Sequence, residues 1–223
     1  MAGVPRSTKE EIVLAAERLF AAHGLEGVSL RQIGAASGNG NNSAVQYHFG
    51  TKEQLVEAIF AYRLPRLRGR RALLIEERRP SDLRGWLECQ IRAVLEHSEL
   101  EDSHYMSFVA SLHQHDGVKG FRHLPAEFAD SRLEFETQLR SHLTNLDEPL
   151  QSLRLAQVMS FIVHAAAARE RARRRGEPLL PFALEVGNLV DAMVGLLTAP
   201  VSRETRAALE CGRRNDTECP STS

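Results

Sequence analysis

Apolar residues recur at the three-and-four spacing of a helical face from the start of the chain, with Ile12, Ala15, Ala16, Leu19 and Phe20 forming one stripe. Ser7 to Glu10, "STKE", is a capping box at its head, in which the hydroxyl and the carboxylate each satisfy a free N–H of the first turn. Gly24 supplies the left-handed residue at its end, so the pattern predicts a helix over Thr8–His23. A second box, Ser29 to Gln32 in "SLRQ", opens a short helix with Leu30, Ile33 and Ala36 inward and Gly38 closing it. After a Gly-Asn turn, Asn41 is the expected N-cap of a third short helix that buries Ala44, Val45 and Phe49 and ends at Gly50. Thr51 to Gln54, "TKEQ", starts a longer fourth helix with Leu55, Val56, Ile59 and Phe60 on one face, and Pro65 is expected to bend or end it.

The helical period persists over Leu83–Leu95, Tyr105–Leu112, Ala126–Leu143, Leu150–Arg173 and Phe182–Leu197, with Pro80, Pro125, Pro149, Pro178 and Pro181 near the boundaries. No strand alternation and no repeat of fixed period interrupts it, so the chain reads as all-α. Ser202 to Ser223 is polar and charged, lacks an apolar face after Leu209, and is expected to fray or be disordered.

Composition narrows the class. A chain of 223 residues with 43% apolar and 26% charged residues can bury a substantial core. It holds no apolar run of the roughly 18 residues that a membrane-spanning helix needs. Its N-terminus lacks the apolar stretch of a secretory signal, so a cytoplasmic location is expected. Cys89, Cys211 and Cys219 have no metal-ligand spacing and read as free thiols of a reducing compartment. The net charge of -1 announces no nucleic-acid binder, although "RLPRLRGRR" (63–71) and "ARERARRRG" (168–176) are locally basic. Such runs are most often solvated helix faces.

Candidate chemistry centres on "SGNGNNSA" (37–44). A phosphate-cradling loop needs a preceding strand and a closing lysine, and this stretch follows a helix and has neither. A short helix, a tight turn and a second short helix with exposed polar residues instead make a helix-turn-helix, whose second helix can enter the major groove. Catalysis is not expected. A di-iron bundle needs paired Glu-x-x-His motifs and only Glu101 to His104 has that spacing, while no G-x-S-x-G elbow occurs. The histidines at 97, 104, 113, 115 and 123, with Asp116 beside His115, raise the alternative of a metal-responsive regulator. However, positions i and i+2 of a helix point apart and no cysteine accompanies them, so neither a metal site nor a cofactor is assigned.

Residues 8–62 resemble the DNA-binding domain of the TetR family of bacterial transcriptional regulators. The resemblance rests on "EEIVLAAERLFAAHGLEGVSLRQIG", with A-x-x-L-F and G-x-x-x-x-S-L-R-x-I, and on "SAVQYHFGTKEQLVEAIF", with Y-x-F-G-x-K-E-x-L. One departure is a turn after Gly38 one residue longer than the usual pattern.

The resemblance implies an N-terminal three-helix DNA-binding domain (1–50), a connecting helix (51–74), a larger helical effector-binding and dimerisation domain (75–201) and a polar tail (202–223). It also implies a homodimer on a palindromic operator, released by a small-molecule effector. An effector-independent architectural DNA binder is the other alternative.

Within that domain, Asn42, Ser43 and Gln46 suit base readout, since Asn and Gln pair two ways with an adenine edge. Tyr47, His48, Lys52, Ser29 and Arg31 suit phosphate contacts, while Asn41 and Gln32 have capping work beside any DNA contact. The stripes Leu155, Val158, Met159, Ile162 and Val186, Leu189, Val190, Met193, Leu197 read either as core or as the dimer interface that the resemblance places there. Trp86, Tyr105, Phe108, Phe128 and Phe135 are candidates for a ligand pocket, with core packing as the alternative for each.

Overall fold

A computed structural model describes residues 7–38, 42–116 and 126–217, with side chains described except at 42, 43, 115, 116, 126–132 and 212–217. The described residues form α-helices and no strand: α1 Thr8–His23, α2 Leu30–Ala36, α3 Asn42–His48, α4 Lys52–Arg78, α5 Leu83–Ser98, α6 Tyr105–Asp116, α7 Ala126–Ser141, α8 Glu148–Arg174, α9 Phe182–Thr198 and α10 Arg203–Thr217. Among them no single helix is long and apolar enough to cross a membrane.

The first three helices start and stop where their local chemistry dictates. Ser7 N donates to Glu10 Oε2 at 2.9 Å and Ser7 Oγ accepts from Glu10 N at 3.3 Å, closing the capping box of α1. The α1–α2 connection is tight, and a Cβ on Gly27 would lie 2.3 Å from the carbonyl oxygen of His23, so only glycine fits there. Ile12, Ala16 and Phe20 of α1, Ile33 of α2, Val45 of α3 and Leu55 and Ile59 of α4 close one core.

That core continues without a break into the C-terminal helices. Phe108 of α6 lies 6.3 Å from Phe20 and 5.6 Å from Phe60, ring centroid to centroid, and Phe60 meets Tyr105 edge-on at 6.1 Å. Beyond this seam α8 packs on α6, and α9 packs on α5.

Two expectations are corrected. Pro65 neither bends α4 out of register nor ends it; the helix runs on to Arg78 and stops where Arg79 turns left-handed at φ 46°. The carbonyl that loses its N–H partner at Pro65 is that of Ala61, and both residues are exposed, so water can take the bond. Packing of Leu74 against Cys89 and Ala93 of α5 holds the second half in line. The polar tail is likewise helical over Arg203–Thr217. Ser202 Oγ caps it by accepting from Thr205 N at 3.2 Å, and its Ala, Leu, Arg and Glu content favours helix without any buried face.

Three histidines are held neutral by the fold. His97 is buried against the Tyr105 ring at 5.2 Å, and burial, reinforced by the charges of Arg63 and Arg66, pushes its pKa down to about 3. Burial is also the main cause that lowers His104 and His113 to about 4. The unfolded chain takes up these protons near pH 6.5 and the folded chain does not, so this stability is complete above that pH and lost below it. The thermal midpoint is therefore expected to fall between about pH 6.5 and pH 4, with a shallower fall in His97→Phe. A flat profile would refute the assignment.

Candidate nucleic-acid interface

The face that meets DNA is built by α2 and α3. Val45 and Phe49 are buried against α1 and α4, and this anchors α3 with Gln46, Tyr47 and His48 all exposed. Tyr47 is 85% exposed, unusual for a large aromatic side chain in a helix with so much core beside it. Its ring stands edge-on to His48 at 5.1 Å, which presents the hydroxyl and the imidazole as one polar tip. Gly50, at φ 69°, turns the chain so that α4 starts directly behind α3. Lys9 of α1 lies 5.7 Å over the Phe49 ring, adding a cation near the same edge.

Asn42 and Ser43 form the first turn of α3, while Asn41 lies outside the described residues. Ser29 and Gln32 are exposed but committed to each other: Gln32 Oε1 accepts from Ser29 N and from Ser29 Oγ, both at 2.8 Å. The Gln32 carboxamide therefore has only its Nε2 end to offer outward. Arg31 is exposed beside them.

Lys52 departs from the phosphate role. Its Nζ donates to the Leu25 carbonyl at 2.9 Å, with Glu26 at 4.0 Å, so it ties the start of α4 to the α1–α2 turn. Phosphate contact at this point falls to the uncapped N–H groups of the first turn of α4, where the helix dipole also favours an anion.

Several residues outside the sequence reading hold this unit. Arg18 Nη2 donates to the Ala36 carbonyl at 3.5 Å, at the end of α2. The Glu17 carboxylate is fully buried and accepts from Arg63 Nε at 2.6 Å, Arg63 Nη2 at 2.9 Å and His104 N at 2.7 Å. This single group joins α1, α4 and the head of α6. The signal was present in the sequence, because Glu17 stands on the buried stripe of α1, three residues before Phe20 and four after Val13. From the opposite side Glu170 of α8 accepts from Met106 N at 3.2 Å and Ser107 N at 3.1 Å. Burial raises its pKa, against the opposing pull of these bonds.

The ligand-pocket candidates separate. Trp86 and Phe135 line a cleft of about 850 Å³ between α4, α5 and α7, with their rings 6.1 Å apart. Tyr105 and Phe108 do not line it; they are buried in the seam between the two units, where core packing accounts for them. Phe128 lies outside the described side chains.

The dimer stripe is also corrected. Leu155, Val158, Ile162, Val186, Leu189, Val190, Met193 and Leu197 are buried inside a single chain and Met159 is half-buried, so these residues are core. The apolar side chains of α8 and α9 that face outward are Leu153, Phe161 and Leu184, each more than half exposed. Beside them Gly187 and Gly195 have open space where a Cβ would stand.

His113 and His164 lie 6.0 Å apart, ring to ring, and among the described residues no three His, Cys, Asp or Glu side chains are grouped to hold a metal.

Comparison with known proteins adds to this geometry. Residues 12–59 match the family described as bacterial regulatory proteins, tetR family. The chain is 40% identical over 55 residues to the HTH-type transcriptional repressor AcnR of Corynebacterium glutamicum, a match covering 25% of this chain and 29% of that protein. It thus spans under a third of the length of that relative. The structure of the ketosteroid transcriptional regulator KstR2 of Mycobacterium tuberculosis covers 91% of this chain and 99% of its own, with a TM-score of 0.56 at 19% identity. A transcriptional regulator from Rhodococcus sp. Rha1 covers 86% and 96%, with a TM-score of 0.55 at 19% identity. At such identities the shared property is the helical fold.

Proposed function

Because residues 12–59 belong to the TetR family of bacterial regulatory proteins, we propose that the protein is a homodimeric transcriptional repressor, released from a palindromic operator by a small-molecule effector. The observation that carries this reading is the exposed row Gln46, Tyr47 and His48 on a short helix whose other side is fastened by Val45 and Phe49. A rigid helix with a polar, unoccupied face suits the major groove, where glutamine reads an adenine edge by two hydrogen bonds. Tyr47, His48, Arg31 and the head of α4 suit the flanking phosphates.

The second copy is expected to dock on the outer face of α8 and α9, around Leu153, Phe161 and Leu184. Two-fold symmetry there sets the spacing of two recognition helices and matches a palindromic site. The cleft beside Trp86 receives the effector. The regulator works in the cytoplasm and needs no cofactor or catalytic step.

Selection of bound fragments from genomic DNA is the direct test, with a palindromic footprint expected. On the selected fragment Gln46→Ala weakens binding by about 1–3 kcal/mol, or roughly 5- to 150-fold, and leaves affinity for random DNA unchanged. Equal losses on both DNAs would make Gln46 a positioning residue and remove its role in reading sequence.

A further inference from the structure

We propose that the cleft between α4, α5 and α7 binds a monocarboxylate carried on an apolar body, its carboxylate held by Arg68 and Arg71 and its body laid against Trp86 and Phe135. The proposal rests on the effector-gated reading above and names the chemical class of the effector.

The shape and lining carry it. About 850 Å³ is ample for a small organic molecule. Trp86 and Phe135 meet edge to face at 6.1 Å, and Ile75 and Leu133 extend the apolar wall. Both cations come from α4, one turn apart at positions 68 and 71, so they address the same side of the cleft.

Arg71 is the anchored member. Its guanidinium lies 5.0 Å over the Phe135 ring and its Nη1 donates to Gln90 Oε1 at 3.2 Å. That fixes a planar fork of donors at the edge of an aromatic floor, and a guanidinium so placed suits a carboxylate better than a neutral polar group. Arg68 is exposed and can swing toward the same anion.

The charge balance limits the ligand. Burial and the neighbouring charge of Arg68 lower the Arg71 pKa, and Glu134 of α7 opposes them. Arg68 and Arg71 set against Glu134 leave the lining one positive charge in excess, which a monoanion neutralises and a dianion overshoots. An entering carboxylate takes over from Glu134 as the counter-charge of Arg71, so it draws on α4 and displaces α7. Because α4 also carries Arg63 at the inter-domain seam and Lys52 behind the recognition helix, its displacement is felt at the DNA face.

The chain has one tryptophan, and it stands in this wall, so its fluorescence reports on the cleft alone. The full-length protein is titrated with decanoate, decan-1-ol and decylamine. Decanoate is expected to shift the emission saturably, with the alcohol about tenfold weaker and the amine without effect. Arg68→Gln, at an exposed position that leaves helical circular dichroism intact, weakens decanoate about tenfold and leaves the alcohol unchanged, and Glu134→Gln tightens decanoate. Equal affinity for acid and alcohol, or no response to the acid, overturns the proposal.

Anisotropy of the selected DNA fragment separates the two readings. Decanoate bound without any change in DNA affinity supports the anion site and removes its role as an effector site. A chain that holds its DNA but ignores decanoate loses the site and remains a regulator.

Discussion

Replacing Glu17 by Gln is expected to destabilise the fold by about 3–5 kcal/mol, the range for removing one partner of a buried ion pair. Glu17 is 0% exposed and Arg63 8%. The carboxylate accepts three donors at 2.6–2.9 Å: two from the Arg63 fork and one from the backbone of His104. An amide in its place has one acceptor oxygen, and its NH2 faces the donors of Arg63. The Arg63 charge is then left inside the core with only the Asp102 carbonyl, at 3.1 Å, for company.

The urea midpoint measures the loss. The double variant Glu17→Leu with Arg63→Met restores most of it, because an apolar pair of similar volume avoids the desolvation cost of both charges. A single-variant loss below about 1 kcal/mol would show that the pair is not buried in solution. The restored double variant is also informative for function. It keeps the helices packed but lacks the polar clamp between α1 and the head of α6, so it is expected to bind DNA while responding less to effector. An unaltered response would place the coupling in the aromatic seam of Phe20, Phe60 and Phe108 instead.

Phe161→Glu is expected to turn the homodimer into a monomer, with a dissociation constant raised on the order of a hundredfold or more. Phe161 is 55% exposed on α8 and Leu184 56% exposed on α9, so the substitution leaves the single chain packed. A two-fold interface receives the change twice, once from each copy, and sets two desolvated carboxylates close together. Sedimentation at micromolar concentration measures the loss, and circular dichroism checks the helices. DNA binding is then expected to fall to that of a single half-site. A variant that still sediments as a dimer would move the interface away from this face.

The helix boundaries near the N-terminus were legible because each has a local cause. Capping boxes at Ser7 and Ser29 and the left-handed Gly50 act over three or four residues, so no distant contact is needed to recognise them. The exposed row on α3 was legible too, since burying Val45 and Phe49 necessarily turns Gln46, Tyr47 and His48 outward at helical spacing. Pro65 was misjudged because a proline's effect depends on whether its orphaned carbonyl meets water or protein. The helical tail was missed because a missing apolar face was equated with a missing helix.

By itself, then, the sequence determined an all-helical chain and a short, polar-faced helix after a tight turn, both products of local spacing and capping. Only the tertiary structure decided which apolar stripe of α8 and α9 faces the chain's own core and which faces outward, because both stripes obey the same period and differ only in what packs against them. The same holds for the charged residues. Lys52 is an internal strut, Glu17 a buried clamp and Arg71 the floor of a cleft, since the work of a charge is set by the partners that distant parts of the chain bring within about 3 Å of it.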